Sequence, residues 1–214
     1  FSHDPRGLLA VDLDGDGYPD LTFAEPFNRG VKVILNVGGS FVYALRASTA
    51  GDPNAMAAAD WDGDGDLDLA TANGNSANAA VLINLGGARF AQAVAYPVGS
   101  FPRAMAAADL DGDGRPDLVT ANKFADGATV RFNDGKGRFE GGRLELRAGT
   151  APSDVAAADL DGDGRIDLVV ANRGTADVSL LINLGVRTFA PARSLTARAA
   201  PRAVAPADVD GDAD

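Results

Sequence analysis

The phrase Asp-x-Asp-Gly-Asp-Gly-x-x-Asp occurs four times at nearly constant spacing, and that regularity constrains the fold more than any other feature. It opens at Asp12, Asp60, Asp109 and Asp159, with a fifth, cut-off copy at Asp208, so the period is 48 to 50 residues. Two other phrases keep step. PNAMAAAD, PRAMAAAD, PSDVAAAD and PRAVAPAD lead into the later copies, and VILNVGGSF, VLINLGGARF, VRFNDGKGRF and LLINLGVRTF follow the four complete ones. A unit of this length buries its apolar face only by stacking on its neighbours.

Within one period the pattern is that of strands. AMAAAD and DLVTAN are short apolar runs on either side of the aspartate loop, and VLIN and RFAQAVAY follow, separated by Asn-Leu-Gly-Gly, a tight-hairpin signal. The three-alanine runs Ala57–Ala59, Ala106–Ala108 and Ala156–Ala158 lead straight into a glycine-rich loop and are too short for a stable helix. They suit the crowded innermost strand of a propeller blade, where only small side chains fit. The expected fold is therefore all-β: a β-propeller of four-stranded antiparallel blades, about four of them plus part of another. We expect one repeat domain over 1–214, with repeats at 8–55, 56–104, 105–154 and 155–203 and a partial one at 204–214.

Numbered from its first residue, each loop carries carboxylates at positions 1, 3, 5 and 9. These are Asp12, Asp14, Asp16, Asp20; Asp60, Asp62, Asp64, Asp68; Asp109, Asp111, Asp113, Asp117; and Asp159, Asp161, Asp163, Asp167. Like charges this close repel unless a cation lies between them. Position 7 varies (Tyr18, Asp66, Arg115, Arg165), as a backbone carbonyl ligand permits. An all-oxygen set on flexible backbone suits Ca²⁺ better than Mg²⁺, which demands a tight octahedron. An EF-hand is excluded, because its loop needs a bidentate Glu at position 12, where this chain has Phe23, Thr71, Thr120 and Val170. Sixteen of the 30 acidic residues belong to these loops, and four divalent cations would bring the formal charge from −11 to −3.

The phrase AAADLDGDGRPDLVTAN, followed by V-x-x-x-x-N-x-G-x-G-x-F, resembles the FG-GAP/VCBS repeat family, known from the integrin α-subunit propeller and bacterial secreted proteins. The resemblance covers essentially the whole chain. It implies Ca²⁺ loops joining the first and second strands of each blade on one face, and about four ions held by the sixteen aspartates named above. The fifth copy keeps Asp208, Asp210 and Asp212, but Ala213 replaces the glycine, so it forms at most an incomplete site. Family propellers usually have about seven blades. The chain is thus read as half of a longer propeller, as a compact four-blade ring, or as a ring segment whose open edge another chain fills.

The acidic charge excludes a nucleic-acid surface. No apolar run is long enough to span a membrane, and the opening FSHDPRG lacks the basic and apolar regions of a signal peptide. Cysteine is absent, which excludes disulfides and thiolate metal sites. Sites binding at about 10⁻⁴ M would contribute roughly 1.4 kcal/mol each in about 1 mM Ca²⁺ and stand empty at cytosolic calcium. The expected location is therefore extracellular or cell-surface, in a bacterial setting. The single histidine, His3, is a poor candidate for a base, and a caged ion has no open position for substrate, so catalysis is not expected. The leading expectation is a binding or adhesion module for a carbohydrate or protein ligand. Its contacts would come from loops opposite the calcium face: PFNRG (26–30), NGNSAN (73–78), NKFADG (122–127) and NRGTAD (172–177). Asn73, Asn122 and Asn172 recur at one position and read as turn formers, whereas Arg29, Phe124 and Arg173 break the pattern and are the candidate contacts. Two other expectations stand beside it: a subunit of an extracellular fibre or array assembled by self-association through terminal blade edges, and a non-catalytic appendage of a polysaccharide-degrading enzyme.

Overall fold

The computed structural model describes residues 4–207, apart from the side chains of residues 43 and 44. His3 and the aspartates of the fifth loop, Asp208, Asp210 and Asp212, lie outside them. The first sheet runs β1 (Arg6–Val11), β2 (Asp20–Glu25), β3 (Gly30–Val37) and β4 (Ser40–Ser48). The second is β5 (Pro53–Ala59), β6 (Asp68–Asn73), β7 (Asn78–Leu82) and β8 (Val94–Pro97), and the third is β9 (Pro102–Ala108), β10 (Asp117–Asn122), β11 (Gly127–Arg131) and β12 (Arg143–Arg147). In the fourth, β13 (Pro152–Ala158), β14 (Asp167–Asn172) and β15 (Asp177–Leu181) pair in turn. A two-stranded ribbon, β16 (Asn183–Gly185) and β17 (Thr188–Phe189), precedes the outer strand β18 (Arg193–Thr196) of that sheet. Every pairing is antiparallel. Four blades of one design thus follow one another.

The alanine-rich strands are innermost. β1, β5, β9 and β13 lie side by side in that order, and among the described residues no comparable packing links β13 back to β1. The blades therefore form an arc of a propeller whose ring is not closed. Whereas β2 alternates between buried and half-buried positions, β6, β10 and β14 are buried along their full length. Their sequences, DLATAN, DLVTAN and DLVVAN, are accordingly apolar in the middle with no alternation.

Three blade interfaces yield three apolar clusters. Leu13, Val33, Met56, Leu69 and Leu82 join the first two blades, and Trp61, Val81, Tyr96, Met105, Leu118 and Phe139 join the second and third. Leu110, Val130, Val155, Leu168 and Leu181 join the third and fourth. The Phe139 ring meets Trp61 edge-on at 6.3 Å between centroids and Tyr96 at 5.5 Å. Full burial of each such side chain stabilises the stack by about 1.5–3 kcal/mol, so the interfaces carry most of the cohesion.

The expected tight hairpin joins the third strand directly to the outer strand in the first blade, where β3 ends at Val37 and β4 starts at Ser40, and in the fourth blade it forms within the short β16–β17 ribbon, with Val186 and Arg187 between Gly185 and Thr188. In the last three blades the third strand stops before the Asn-x-Gly phrase, and the outer strand begins about ten residues later. The intervening segment closes on itself through the bridge Asn84↔Phe90 or the β16–β17 ribbon. In these three blades the phrase also makes a docking contact that Asn36 of the first blade does not make. Asn84 donates Nδ2 to the Leu13 carbonyl (2.8 Å), Asn133 to Trp61 (2.9 Å) and Asn183 to Leu110 (2.9 Å), each reaching the aspartate loop of the preceding blade.

Candidate metal centres

Each aspartate loop spans the gap between an innermost strand and its neighbour. The register is identical in all four: Val11, Ala59, Ala108 and Ala158 pair with Asp20, Asp68, Asp117 and Asp167. The intervening residues must therefore coil tightly, and the glycines at positions 4 and 6 do so with positive φ, 79° and 88° at Gly15 and Gly17. Nothing lies within 4 Å of where a Cβ would stand on either, so the requirement is conformational.

The position 9 carboxylate is buried and fixed from both sides. Asp117 accepts the Leu110 amide on Oδ2 (3.1 Å) and the Asn133 amide on Oδ1 (2.8 Å). Asp20 does the same with Leu13 (2.9 Å) and Asn36 (2.8 Å), Asp68 with Trp61 (2.9 Å) and Asn84 (2.7 Å), and Asp167 with Leu160 (3.0 Å) and Asn183 (2.7 Å). All four are 0% exposed. The position 1 carboxylate is held by the loop itself: Asp12 accepts the Gly15 amide on Oδ1 (2.8 Å) and the Gly17 amide on Oδ2 (2.9 Å), a pattern repeated at Asp60, Asp109 and Asp159.

In every loop, oxygens of positions 1, 3 and 9 lie within 4.8 Å of one another: Asp12, Asp14, Asp20; Asp60, Asp62, Asp68; Asp109, Asp111, Asp117; and Asp159, Asp161, Asp167. The position 5 carboxylates stand outside these triads. Asp16, Asp64, Asp113 and Asp163 each accept the amide two residues on, at 2.9, 2.9, 3.0 and 2.9 Å. In the last two loops the guanidinium groups of Arg115 and Arg165 also pair with Asp113 and Asp163.

Some of these carboxylates resist ionisation. Burial pushes Asp68 up to about 6 and Asp117 up to about 7, against the hydrogen bonds from the two amides that favour the charged form. Burial likewise raises Asp14, Asp62 and Asp161. Asp159 is lowered, chiefly by the Gly164 amide. Asp111 shows what is missing: Arg187 binds its Oδ2 at 2.8 Å while its buried Oδ1 has no partner. A hard divalent cation placed among the three oxygens meets that need and offsets the repulsion. The donor set fits such an ion.

The pattern of carboxylates hid the residues that clamp the loops. Asn36, Asn84, Asn133 and Asn183 present the amides that fix position 9, and the last three also tie each loop to the next blade. The signal was the Asn-x-Gly phrase keeping step with the aspartates. Arg187 carried no such signal; its guanidinium lies 4.2 Å from the centre of the Phe132 ring while gripping Asp111.

At the opposite ends of the strands, Asn73, Asn122 and Asn172 are buried in side-chain networks. Their Nδ2 atoms donate to Asn78 (2.7 Å), Thr129 (2.8 Å) and Asp177 (2.9 Å). Arg29 pairs with Asp52 at 3.1 Å in an exposed setting, and Arg173 is exposed. Phe124 is 62% exposed, its ring 5.1 Å from that of Phe101, with the Lys123 ammonium over both at 4.6 and 5.5 Å. Among the described residues no helix is long and apolar enough to cross a membrane.

Comparison with solved structures gives the same architecture. A lectin of Agrocybe aegerita that recognises non-reducing terminal N-acetylglucosamine matches with a TM-score of 0.58 and 24% identity, over 89% of this chain and 52% of that one. The V. cholerae biofilm matrix protein Bap1 matches with a TM-score of 0.56 and 20% identity, over 84% of this chain and 27% of its own. A catalytically inactive virginiamycin B lyase from Staphylococcus aureus matches with a TM-score of 0.57 and 13% identity, over 88% of this chain and 56% of its own. The chain thus spans between about a quarter and just over half of these proteins, and the likeness is one of fold. No curated protein sequence matches it. The FG-GAP-like repeat profile matches residues 12–71, 60–120, 109–170 and 159–214, each match running from one aspartate loop into the next. With its aspartate loops, four-stranded blades and repeat matches in one register, the chain belongs to the FG-GAP-like repeat family.

Proposed function

We propose that the chain is a non-catalytic, calcium-stabilised segment of a β-propeller that binds carbohydrate on the face opposite its metal loops. The observation that carries this reading is the Phe101–Phe124 pair with Lys123 above it. Two rings in contact at a tilt of 49°, one largely exposed, form an apolar patch with a cation over it, a combination of surfaces that suits a sugar ring. The antiparallel strands place it opposite the aspartate loops, since Lys123 and Phe124 follow β10 at the end away from Asp117. About four Ca²⁺ ions, held by positions 1, 3 and 9 with the position 5 carboxylate and the position 7 carbonyl completing the shell, would make each loop a rigid corner. Weak sites of this kind fit an extracellular or cell-surface setting. The lectin and biofilm-matrix neighbours support binding and adhesion as the general role.

The test is a glycan-array screen in 1 mM calcium, repeated with Phe124→Ala and with Arg29→Gln/Arg173→Gln. Loss of signal in the Phe124 variant at unchanged melting temperature is expected. Undiminished binding by that variant would remove the platform from the site.

A second reading, assembly through the open blade faces, has its own observation. Leu13, Trp61 and Leu110 are 1% exposed beneath the next blade, while the equivalent Leu160 is only half-buried. On the first blade Phe41, the counterpart of the buried Phe139, is 55% exposed. Either face would accept a further blade of the same design.

A further inference from the structure

The innermost strands start at a recurrent proline, and the residues just after it surround one cavity of about 510 Å³. Its polar lining is Arg6, Asn54, Arg103, Ser153, Asp154 and Arg202. All six stand one or two places after Pro5, Pro53, Pro102, Pro152 or Pro201, so the repeat itself gathers them at the mouth opposite the aspartate loops.

Most of this register is spent on joining blades. Arg6 donates Nη1 to Asn54 Oδ1 (2.6 Å) and pairs with Asp4. Asn54 donates Nδ2 to the Pro102 carbonyl (3.2 Å), Ser153 donates Oγ to that of Pro201 (3.0 Å), and Asp154 accepts the Val204 amide on Oδ2 (2.9 Å). Arg103 and Arg202 break the series. Both are exposed, and neither guanidinium has a hydrogen-bond or ion-pair partner among the described residues. Two unpaired guanidinium groups facing one polar cavity, on a chain of net charge −11 whose carboxylates crowd the other face, are placed for oxyanions. The volume falls in the range of small-ligand sites, roughly 300–1,000 Å³. Phe101, half of the aromatic platform, directly precedes Pro102 and Arg103.

We propose that this mouth binds an acidic sugar, with Arg103 and Arg202 holding a carboxylate or sulfate group and Ser153 and Asp154 meeting ring hydroxyls. The proposal rests on the carbohydrate reading of this face and names the substrate class. Titration calorimetry in 1 mM calcium tests it with three probes: a glucuronate tetrasaccharide, a sulfated galactose tetrasaccharide and a neutral galactose tetrasaccharide. At least one acidic probe should bind tenfold or more tighter than the neutral one, and which one does so distinguishes carboxylate from sulfate. Arg103→Gln/Arg202→Gln should lose at least tenfold of that affinity with an unchanged melting temperature, and Arg193→Gln on the outer strand should lose none. Equal binding of neutral and acidic probes, insensitive to the double variant but abolished by Phe124→Ala, would overturn the acidic-sugar site and leave the carbohydrate reading standing. Binding of none of the three would overturn both.

Discussion

Replacing Asp117 by Asn separates the work of the buried carboxylate from that of its ion, because the two predict opposite signs. The carboxylate accepts amides from Leu110 and Asn133 on separate oxygens. Asparagine keeps one acceptor and turns an NH₂ group toward the other amide, leaving a buried donor unsatisfied at a cost of about 1–3 kcal/mol. A calcium ion at that site would be worth about 1.4 kcal/mol at millimolar concentration, and that contribution would be lost as well. At about 3 °C per kcal/mol for a chain of this size, the melting temperature should fall by roughly 10 °C. Under chelation at pH 8 the balance reverses. Asp117, pushed up to about 7, must then ionise with no cation beside it. A rise of about three pKa units costs about 4 kcal/mol, which asparagine removes, so its lost hydrogen bond is more than offset. The variant should melt at or several degrees above the parent protein. Scanning fluorimetry at pH 8, with 1 mM calcium and with chelator, reads both arms. An equal fall in both would show that hydrogen bonding alone explains this residue and that no cation relieves its charge.

Calcium removal should lower the melting temperature by roughly 10–15 °C, the equivalent of about 5 kcal/mol over four sites; terbium luminescence should titrate about four ions, and an unchanged melt would sink the calcium assignment. The pH dependence should invert with the metal. Asp68 and Asp117 have folded-state values raised to about 6 and 7, so their contribution is full below the ordinary value near 3.8 and is lost as pH rises through 6 and 7. The chelated protein should therefore melt lower at pH 8 than at pH 5, while the calcium-loaded protein gains over the same window because its ligands deprotonate; parallel profiles would contradict this. Asn133→Ala removes donors to the Trp61 and Pro116 carbonyls and should cost about 2–4 kcal/mol, against about 1–2 kcal/mol for Asn36→Ala, which has no cross-blade bond. Urea titration measures both, and Trp61, the only tryptophan, should shift to the red in the first variant alone.

The repeat made the blades legible, because a 49-residue period, three-alanine runs and apolar second strands follow from what an inner strand and a doubly buried strand require. The convergence of the position 1, 3 and 9 carboxylates was legible for the same reason, whereas the exclusion of position 5 from the cluster was not, because alternation alone points all of them inward. What also escaped was the relation between repeats. A tight hairpin was expected at Asn-Leu-Gly-Gly because local turn chemistry favours it, and in the first blade, where Asn36 Nδ2 bonds the Pro19 carbonyl of its own blade, that turn joins the third strand to the outer strand directly. In the other blades the phrase turns back before the outer strand begins, and its asparagine bonds a loop some seventy residues earlier. If the loops hold calcium as proposed, that bond would link stability to the ion across the interface. The Asn133 amide caps the Asp117 carboxylate while its side chain holds the Trp61 carbonyl, so one residue joins the metal loop of its own blade to that of the preceding one. Loss of an ion at either loop would loosen a residue that both blades share. The arc should therefore respond to calcium as a coupled array, with the fourth loop, whose Leu160 lacks this cover, the first to let go.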